Sequence, residues 1–159
     1  MSKKSVEQDL LFQSPLFQGL SKEHFAKILK LCKVQKYKTG QTIIEENSVG
    51  KGLYMLAKGS VEVFLPESHA KGSRGSKMHL NTLKQGSFFG EYSLIDEQKS
   101  TANIEALSPV RIYFLPAIDF DLLVEEDDLI GKLLYRNILS ILVERLKLKD
   151  QQVDVIFYR

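Results

Sequence analysis

One stretch of the chain carries residue types that can hold a small phosphorylated ligand. It is Phe88-Phe89-Gly90-Glu91-Tyr92-Ser93-Leu94-Ile95, running on to Asn103-Ile104-Glu105-Ala106. It reads as a tight glycine turn, one short turn of helix and then a strand. Gly90 accepts a positive φ and leaves no side chain in the way of an approaching ligand. The first N–H groups of a helix have no partner inside it, and such an end is a natural seat for a phosphate. Glu91, beside that seat, is an acceptor only and suits a sugar hydroxyl better than an anion. The local chemistry therefore suggests a ribose on the carboxylate and a phosphate on the amides.

The stretch resembles the phosphate-binding cassette of the cyclic-nucleotide-binding domain, the family of catabolite activator proteins and kinase regulatory subunits. The family cassette begins Phe-Gly-Glu, continues through a small residue and Leu, and reaches an Arg followed by a small residue and Ala. Phe89, Gly90 and Glu91 match it, Ser93 fills the small position and Leu94 matches. The Arg position falls at Ser100, with Thr101 and Ala102 after it. The resemblance implies a ligand site at Phe89, Gly90, Glu91, Tyr92, Ser93, Ser100 and Thr101, no cofactor, and cAMP or cGMP as ligand. In the family the Arg pairs with the cyclic phosphate, and a serine carries no charge. An ionic hydrogen bond is worth roughly 1.5–3 kcal/mol, so its loss weakens binding by about 10- to 150-fold. Lys99 does not simply substitute, because successive strand residues point to opposite faces.

The elements that must position this stretch follow from spacing. Val6, Leu10 and Leu11 sit at helical spacing before Ser14-Pro15 interrupts. Ser21 is a good N-cap with Glu23 in the first turn, and Phe25, Ile28 and Leu29 form the buried stripe of a helix ending near Leu31. From Val34 the period changes to two. Strands are expected at 34–38, 42–46, 53–57 and 61–64, with turns at Thr39-Gly40 and Lys58-Gly59. Residues 67–77 are polar, glycine- and serine-rich and locally basic, and read as a loop out of a hairpin. Met78 to Leu83 resumes the strand pattern, and 102–106 and 111–115 close it. Short strands and spaced glycines suggest a β-barrel or jelly roll.

A second signature of the same family is met by Ile43, Ile44, Gly50, Leu53, Tyr54, Met55, Leu56 and Gly59. Asn47 stands where a turn glycine is usual, and Asn tolerates the left-handed conformation. The expected fold is α+β: an antiparallel β-roll, jelly-roll-like, flanked by N-terminal helices and a long C-terminal helix. The expected organisation is a single domain over 1–159, with N-terminal helices at 1–31, the roll at 32–115, the cassette at 88–106 and C-terminal helices at 116–159.

Pro116 starts a short helix. The acidic run Glu125-Glu126-Asp127-Asp128 suits the N-terminus of the next helix better than a metal site. That helix covers Leu129 to about Val153. Its centre, Ile138-Leu139-Ser140-Ile141-Leu142-Val143, is apolar nearly all round, and the roll can cover only one face. The other face calls for a partner, most simply a second copy. Beyond Glu144 the stripe narrows to Leu142, Leu146, Val153 and Ile156, nearer a coiled-coil seam. In the resembling family the corresponding helix pairs subunits and closes over the base.

Composition narrows the function classes. The 159 residues suffice for one domain with its own core. A net charge of +2 gives no general pull toward nucleic acid or membrane. Cys32 alone excludes an internal disulfide and suits a reducing compartment, so a cytoplasmic location is expected. No segment is long and apolar enough to span a bilayer. His24, His69 and His79 show no metal-ligand spacing with each other or with Cys32, and no P-loop, nucleophile elbow or dinucleotide fingerprint occurs. No enzyme is expected. No helix-turn-helix follows the long helix, so no DNA contact is expected either.

Two classes remain open. One is a sensor that binds a cyclic nucleotide, weakly or with altered specificity, and signals to an unknown downstream protein through its last helix. The other is a degenerate domain kept for dimerisation and protein interaction. Gly90-Glu91 favours the first and Ser100 the second.

Overall fold

The computed structural model describes residues 3–65, 77–95 and 99–157, with side chains from 6–65, 77–95 and 99–149. Helix α1 (Lys3–Phe12), a 3-10 turn (Pro15–Phe17) and α2 (Lys22–Leu31) precede the strands. Strands β1 (Lys33–Tyr37), β2 (Thr42–Ile44), β3 (Gly52–Lys58), β4 (Ser60–Leu65) and β5 (Met78–Lys84) follow. After β6 (Phe88–Phe89) comes a second 3-10 turn (Glu91–Leu94), then β7 (Asn103–Ala106) and β8 (Val110–Pro116). Helices α3 (Ala117–Glu126) and α4 (Asp128–Phe157) finish the fold.

The strands form two antiparallel four-stranded sheets, in the orders β1-β8-β3-β6 and β2-β7-β4-β5. The expected roll is present, and the sheets stay open rather than closing into a barrel. Alternation along β3 explains the layering. Tyr54 and Leu56 face inward and meet Val61, Leu83, Ile104 and Ala106 of the other sheet. Leu53, Met55 and Ala57 face outward into a second core made with the helices. Burial on both faces is why β3 reads as a nearly unbroken apolar run.

Local chemistry sets the ends of elements. Ser21 caps α2: its Oγ accepts the His24 N–H at 3.1 Å, and its own N–H reaches His24 Nδ1 at 3.4 Å. His24 is thus a capping residue. Asn47 takes φ +63°, the left-handed conformation expected of it. In the acidic run, Asp127 accepts the Ile130 N–H at 3.1 Å at the start of α4 and pairs with Lys27 at 3.3 Å.

Two expectations are corrected. Of the three α1 residues named from their spacing, Leu11 enters the core and Val6 and Leu10 are exposed; Phe12 packs beside Leu11 instead. On α4, Ile138 is not free for a partner. It is buried with Ile130, Leu133 and Leu134, and Ile141 and Leu142 pack against the same core. Asn137, also buried, donates from Nδ2 to the carbonyls of Leu16 (2.8 Å) and Gln18 (2.9 Å). This fastens the middle of α4 to the first 3-10 turn. The exposed apolar face of α4 is instead Leu139, Val143 and Leu146. Of the predicted basic loop, 67–76 lies outside the described residues, as do the side chains of Val153 and Ile156.

Candidate functional site

Gly90 stands at φ +80°, and a Cβ there would lie 2.6 Å from the Gly52 carbonyl and 2.7 Å from the Tyr54 ring. Only glycine fits this turn, on both dihedral and steric grounds. Phe89 is buried before it and stacks on Tyr54, ring centroids 5.1 Å apart. Phe89 therefore sets the turn from inside the roll. Glu91 follows and is only 6% exposed.

A buried carboxylate needs a partner, and α4 supplies one that sequence reasoning missed. Arg145 Nη1 donates to Glu91 Oε1 at 3.1 Å, and Nη2 donates to the Phe88 carbonyl at 2.7 Å. The guanidinium also lies 4.7 Å from the centre of the Phe88 ring. Burial pushes the Glu91 carboxyl above its usual range, while its own backbone N–H and Arg145 pull the other way. The signal was present in the sequence. Leu134, Ile138, Ile141 and Arg145 repeat at steps of four, three and four, so Arg145 continues the buried stripe of α4.

The rest of the cassette is arranged differently. The helical turn is a four-residue 3-10 turn, too short to gather a macrodipole. Ser93 Oγ donates to the Gly90 carbonyl at 2.7 Å and the Gly52 carbonyl at 3.3 Å. The Ser93 N–H also goes to the Gly90 carbonyl. Tyr92 is exposed. Ser100 Oγ donates to the Ala102 carbonyl at 2.8 Å, and Thr101 is exposed. Strand β7 begins only at Asn103, so Ser100 and Thr101 lie ahead of the regular pairing.

One connection joins the two ends of the cassette. Between β2 and β3, the Asn47 N–H donates to the Ser100 carbonyl (2.7 Å) and the Ser100 N–H to the Ser48 carbonyl (2.8 Å). Val49 bridges to Lys99. At Gly50 an added Cβ would lie 2.4 Å from Ser93 Cβ. Gly50 therefore does more than shape the roll: it lets this connection touch the cassette.

Among the described residues no group of three or more His, Cys, Asp or Glu could hold a metal ion. Burial, with Asp119 adding to it, pushes the Cys32 thiol up to about 12, so it is no nucleophile. His79 pairs with Glu62 at 2.9 Å on the surface of the second sheet. A cleft of about 360 Å³ lies behind Phe88 and Arg145, walled by Leu10, Ser14 and Ile141, away from Ser100. Among the described residues no helix is long and apolar enough to cross a membrane.

An inward glycine turn, a buried glutamate beside it and a two-sheet roll with a long covering helix define a class of regulatory domain. Residues 34–127 match the family model of the cyclic nucleotide-binding domain, and the chain belongs to that family. It is 37% identical over 95 residues to cGMP-dependent protein kinase isozyme 1 of Drosophila melanogaster, across 60% of this chain and 12% of the kinase. It is 27% identical over 146 residues to glutaminase 1 of Bradyrhizobium diazoefficiens, across 92% of this chain and 22% of that protein. The crystal structure of the Thermus thermophilus catabolite activator protein superposes with a TM-score of 0.74 at 29% identity, covering 90% of this chain and 63% of that one. The chain thus spans less than two thirds of each of these relatives.

Proposed function

We propose that the chain is a non-enzymatic regulatory domain, a single unit over 1–159, that takes a cyclic-nucleotide-type ligand at the cassette and signals through α4. The observation that carries this is the buried pair of Glu91 and Arg145. The carboxylate suited to a ribose hydroxyl is tied by one side chain to the helix that would report on it. In this reading Glu91 accepts the ribose hydroxyl, Gly90 and Phe89 hold the turn, and Ser93 braces it. Tyr92, Ser100 and Thr101 border the phosphate. Affinity for cAMP or cGMP is reduced, because Ser100 offers no charge. Calorimetric titration with cAMP, cGMP and cyclic dinucleotides tests the reading, with Glu91→Ala as control. Weak binding that Glu91→Ala abolishes supports it; binding that ignores Glu91 refutes it.

One observation favours the other reading, a domain kept for protein contacts without ligand: the Ser100 hydroxyl is spent on a carbonyl of its own chain. Either way, the exposed face Leu139, Val143 and Leu146 supports a homodimer through α4, and we place that dimer in the cytoplasm with a downstream protein as its partner. Sedimentation at micromolar concentration should show a dimer that Leu139→Glu weakens. A monomer throughout that range rules the dimer out.

A further inference from the structure

The cleft behind Phe88 and Arg145 is walled by separate parts of the chain. Ser14, Leu83 and Phe88 form its buried floor, and Leu10 of α1, 45% exposed, stands at its mouth. Ile141 and Arg145 line it from α4. Its volume of about 360 Å³ lies at the small end of ordinary ligand cavities, roughly 300–1,000 Å³. One residue marks it as more than a packing gap. Ser14 holds the N-cap position of the Pro15–Phe17 turn, where a serine ordinarily gives its oxygen to an N–H of the turn, yet its side chain makes no capping bond. The Oγ is buried and has no hydrogen-bond partner among the described residues. A buried hydroxyl left unpaired lowers stability, and an alanine would fill nearly the same space without that loss. Such an atom in a folded protein asks for a reason, and a ligand in the cleft supplies one.

The charges of the cleft narrow the choice of guest. Its cation, Arg145, is already matched by Glu91 at 3.1 Å. Its acid, Glu144, stands exposed at the rim. An anion would enter beside two carboxylates that share one guanidinium. A cation would gain only the exposed Glu144, which is worth little, and would lose its water over an apolar floor. An uncharged guest meets neither cost. Phe88 and Arg145 also tie the cleft to the cassette. The guanidinium lies over the Phe88 ring and donates to the Phe88 carbonyl and to Glu91. The cleft keeps its shape only while α1, α4 and the cassette stay together, so a guest favours that arrangement over any other.

We propose that this cleft is a second ligand site, for a small uncharged molecule with an apolar ring and one hydrogen-bonding group, and that its occupant holds α4 against the cassette. The ring lies among Leu83, Phe88 and Ile141. Ser14 turns about its Cα–Cβ bond to another staggered position and bonds to the polar group. Binding here does not depend on the cyclic-nucleotide reading of Glu91 and Ser93.

The test is an NMR titration of the full chain with phenol, toluene, benzoate and benzylamine at millimolar concentration. Phenol should shift, saturably, the amide signals of Ser14, Gly86, Ser87 and Phe88, and should slow hydrogen exchange over 141–146 of α4. Benzoate should bind at least about twofold more weakly than phenol, the effect of a like charge at an exposed rim. Ser14→Ala should weaken phenol by about two- to tenfold, the worth of one neutral hydrogen bond. The same variant should leave toluene unchanged and the fold no less stable. No shift at these four amides overturns the site, and shifts confined to 90–101 do the same by placing phenol in the cassette. Benzoate binding as tightly as phenol overturns the preference for an uncharged guest. Equal weakening of toluene and phenol, or a Ser14→Ala chain that does not fold, overturns the role of the hydroxyl. Binding with unchanged exchange over 141–146 overturns the hold on α4. A cAMP titration of the same samples decides the proposed function separately, so either reading can fail without the other.

Discussion

The two ends of one short cassette follow opposite rules. The Gly90–Glu91 end is built into the protein: a left-handed glycine against Gly52 and Tyr54, a buried carboxylate, and an arginine brought from a helix more than fifty residues on. The Ser100–Thr101 end is half open: its backbone is paired with Asn47 and Ser48, while the Ser100 hydroxyl turns back on the Ala102 carbonyl. Substitution at a position that packs against several elements disturbs all of them. Substitution at a position that bonds to its own neighbour disturbs little. The end nearer the core is fixed by several elements at once, and the end at the rim by fewer.

The largest expected effect separates these ends by stability. Gly90→Ala must strain a φ of +80° and push a Cβ into backbone 2.6 Å away. Strain and overpacking together should cost about 2–5 kcal/mol. Ser100→Ala removes one hydrogen bond to a carbonyl and should cost at most about 1.5 kcal/mol. Urea unfolding of the two variants measures both. Equal costs would mean that the rim is built as tightly as the turn.

Next in size is Arg145→Gln. It leaves Glu91 buried with its cation gone, which costs about 3–5 kcal/mol for a wholly buried pair. Arg145 is 26% exposed, so about 1–3 kcal/mol is expected after solvent screening. Lys77→Gln breaks a more exposed pair with Glu105 on the second sheet and should cost less than about 1 kcal/mol. Thermal unfolding of the two variants checks the order. If Lys77→Gln costs as much as Arg145→Gln, α4 is not what sets the Glu91 end apart.

Much of this was legible in the chain because it is local. Gly90, the 3-10 turn after it, the Ser21 cap and the left-handed Asn47 are each determined by neighbours within a few residues. Period two placed the strands, and the family match to 34–127 agrees with that reading. What stayed illegible is long-range. Glu91 and Arg145 are 54 residues apart, and no periodicity within the cassette points to α4. Gly50 was read only as part of the second family signature; its φ is not left-handed, and what demands glycine there is Ser93. The central helix was read as apolar nearly all round, with its partner face expected to include Ile138, Ile141 and Leu142. The 3-10 turn at Pro15–Phe17, clamped by Asn137, takes that face instead.

The smallest effect is a pH dependence that belongs to one end alone. Burial holds the Glu91 carboxyl above its ordinary range in the folded protein. Between the unfolded and the folded pKa, the folded state therefore binds more protons than the unfolded one. Stability from this group is complete below the unfolded value and is lost as pH rises through the folded value. Glu91→Gln keeps the shape of the neutral form at every pH. The stability of the Gln variant relative to the parent should therefore rise with pH across that window, with a slope of at most about 1.4 kcal/mol per pH unit. Arg145→Gln removes a pull that lowers the Glu91 pKa, so in that background the window should extend to higher pH and the gain from Glu91→Gln should grow. Ser100→Ala, which touches no titrating group, should leave the curve of the parent unshifted. Denaturant titrations from pH 4 to 8 on the parent and these variants read all three comparisons. A relative stability of Glu91→Gln that falls with pH would show that Arg145 outweighs burial, and that this end of the cassette is held as an ion pair at every pH tested.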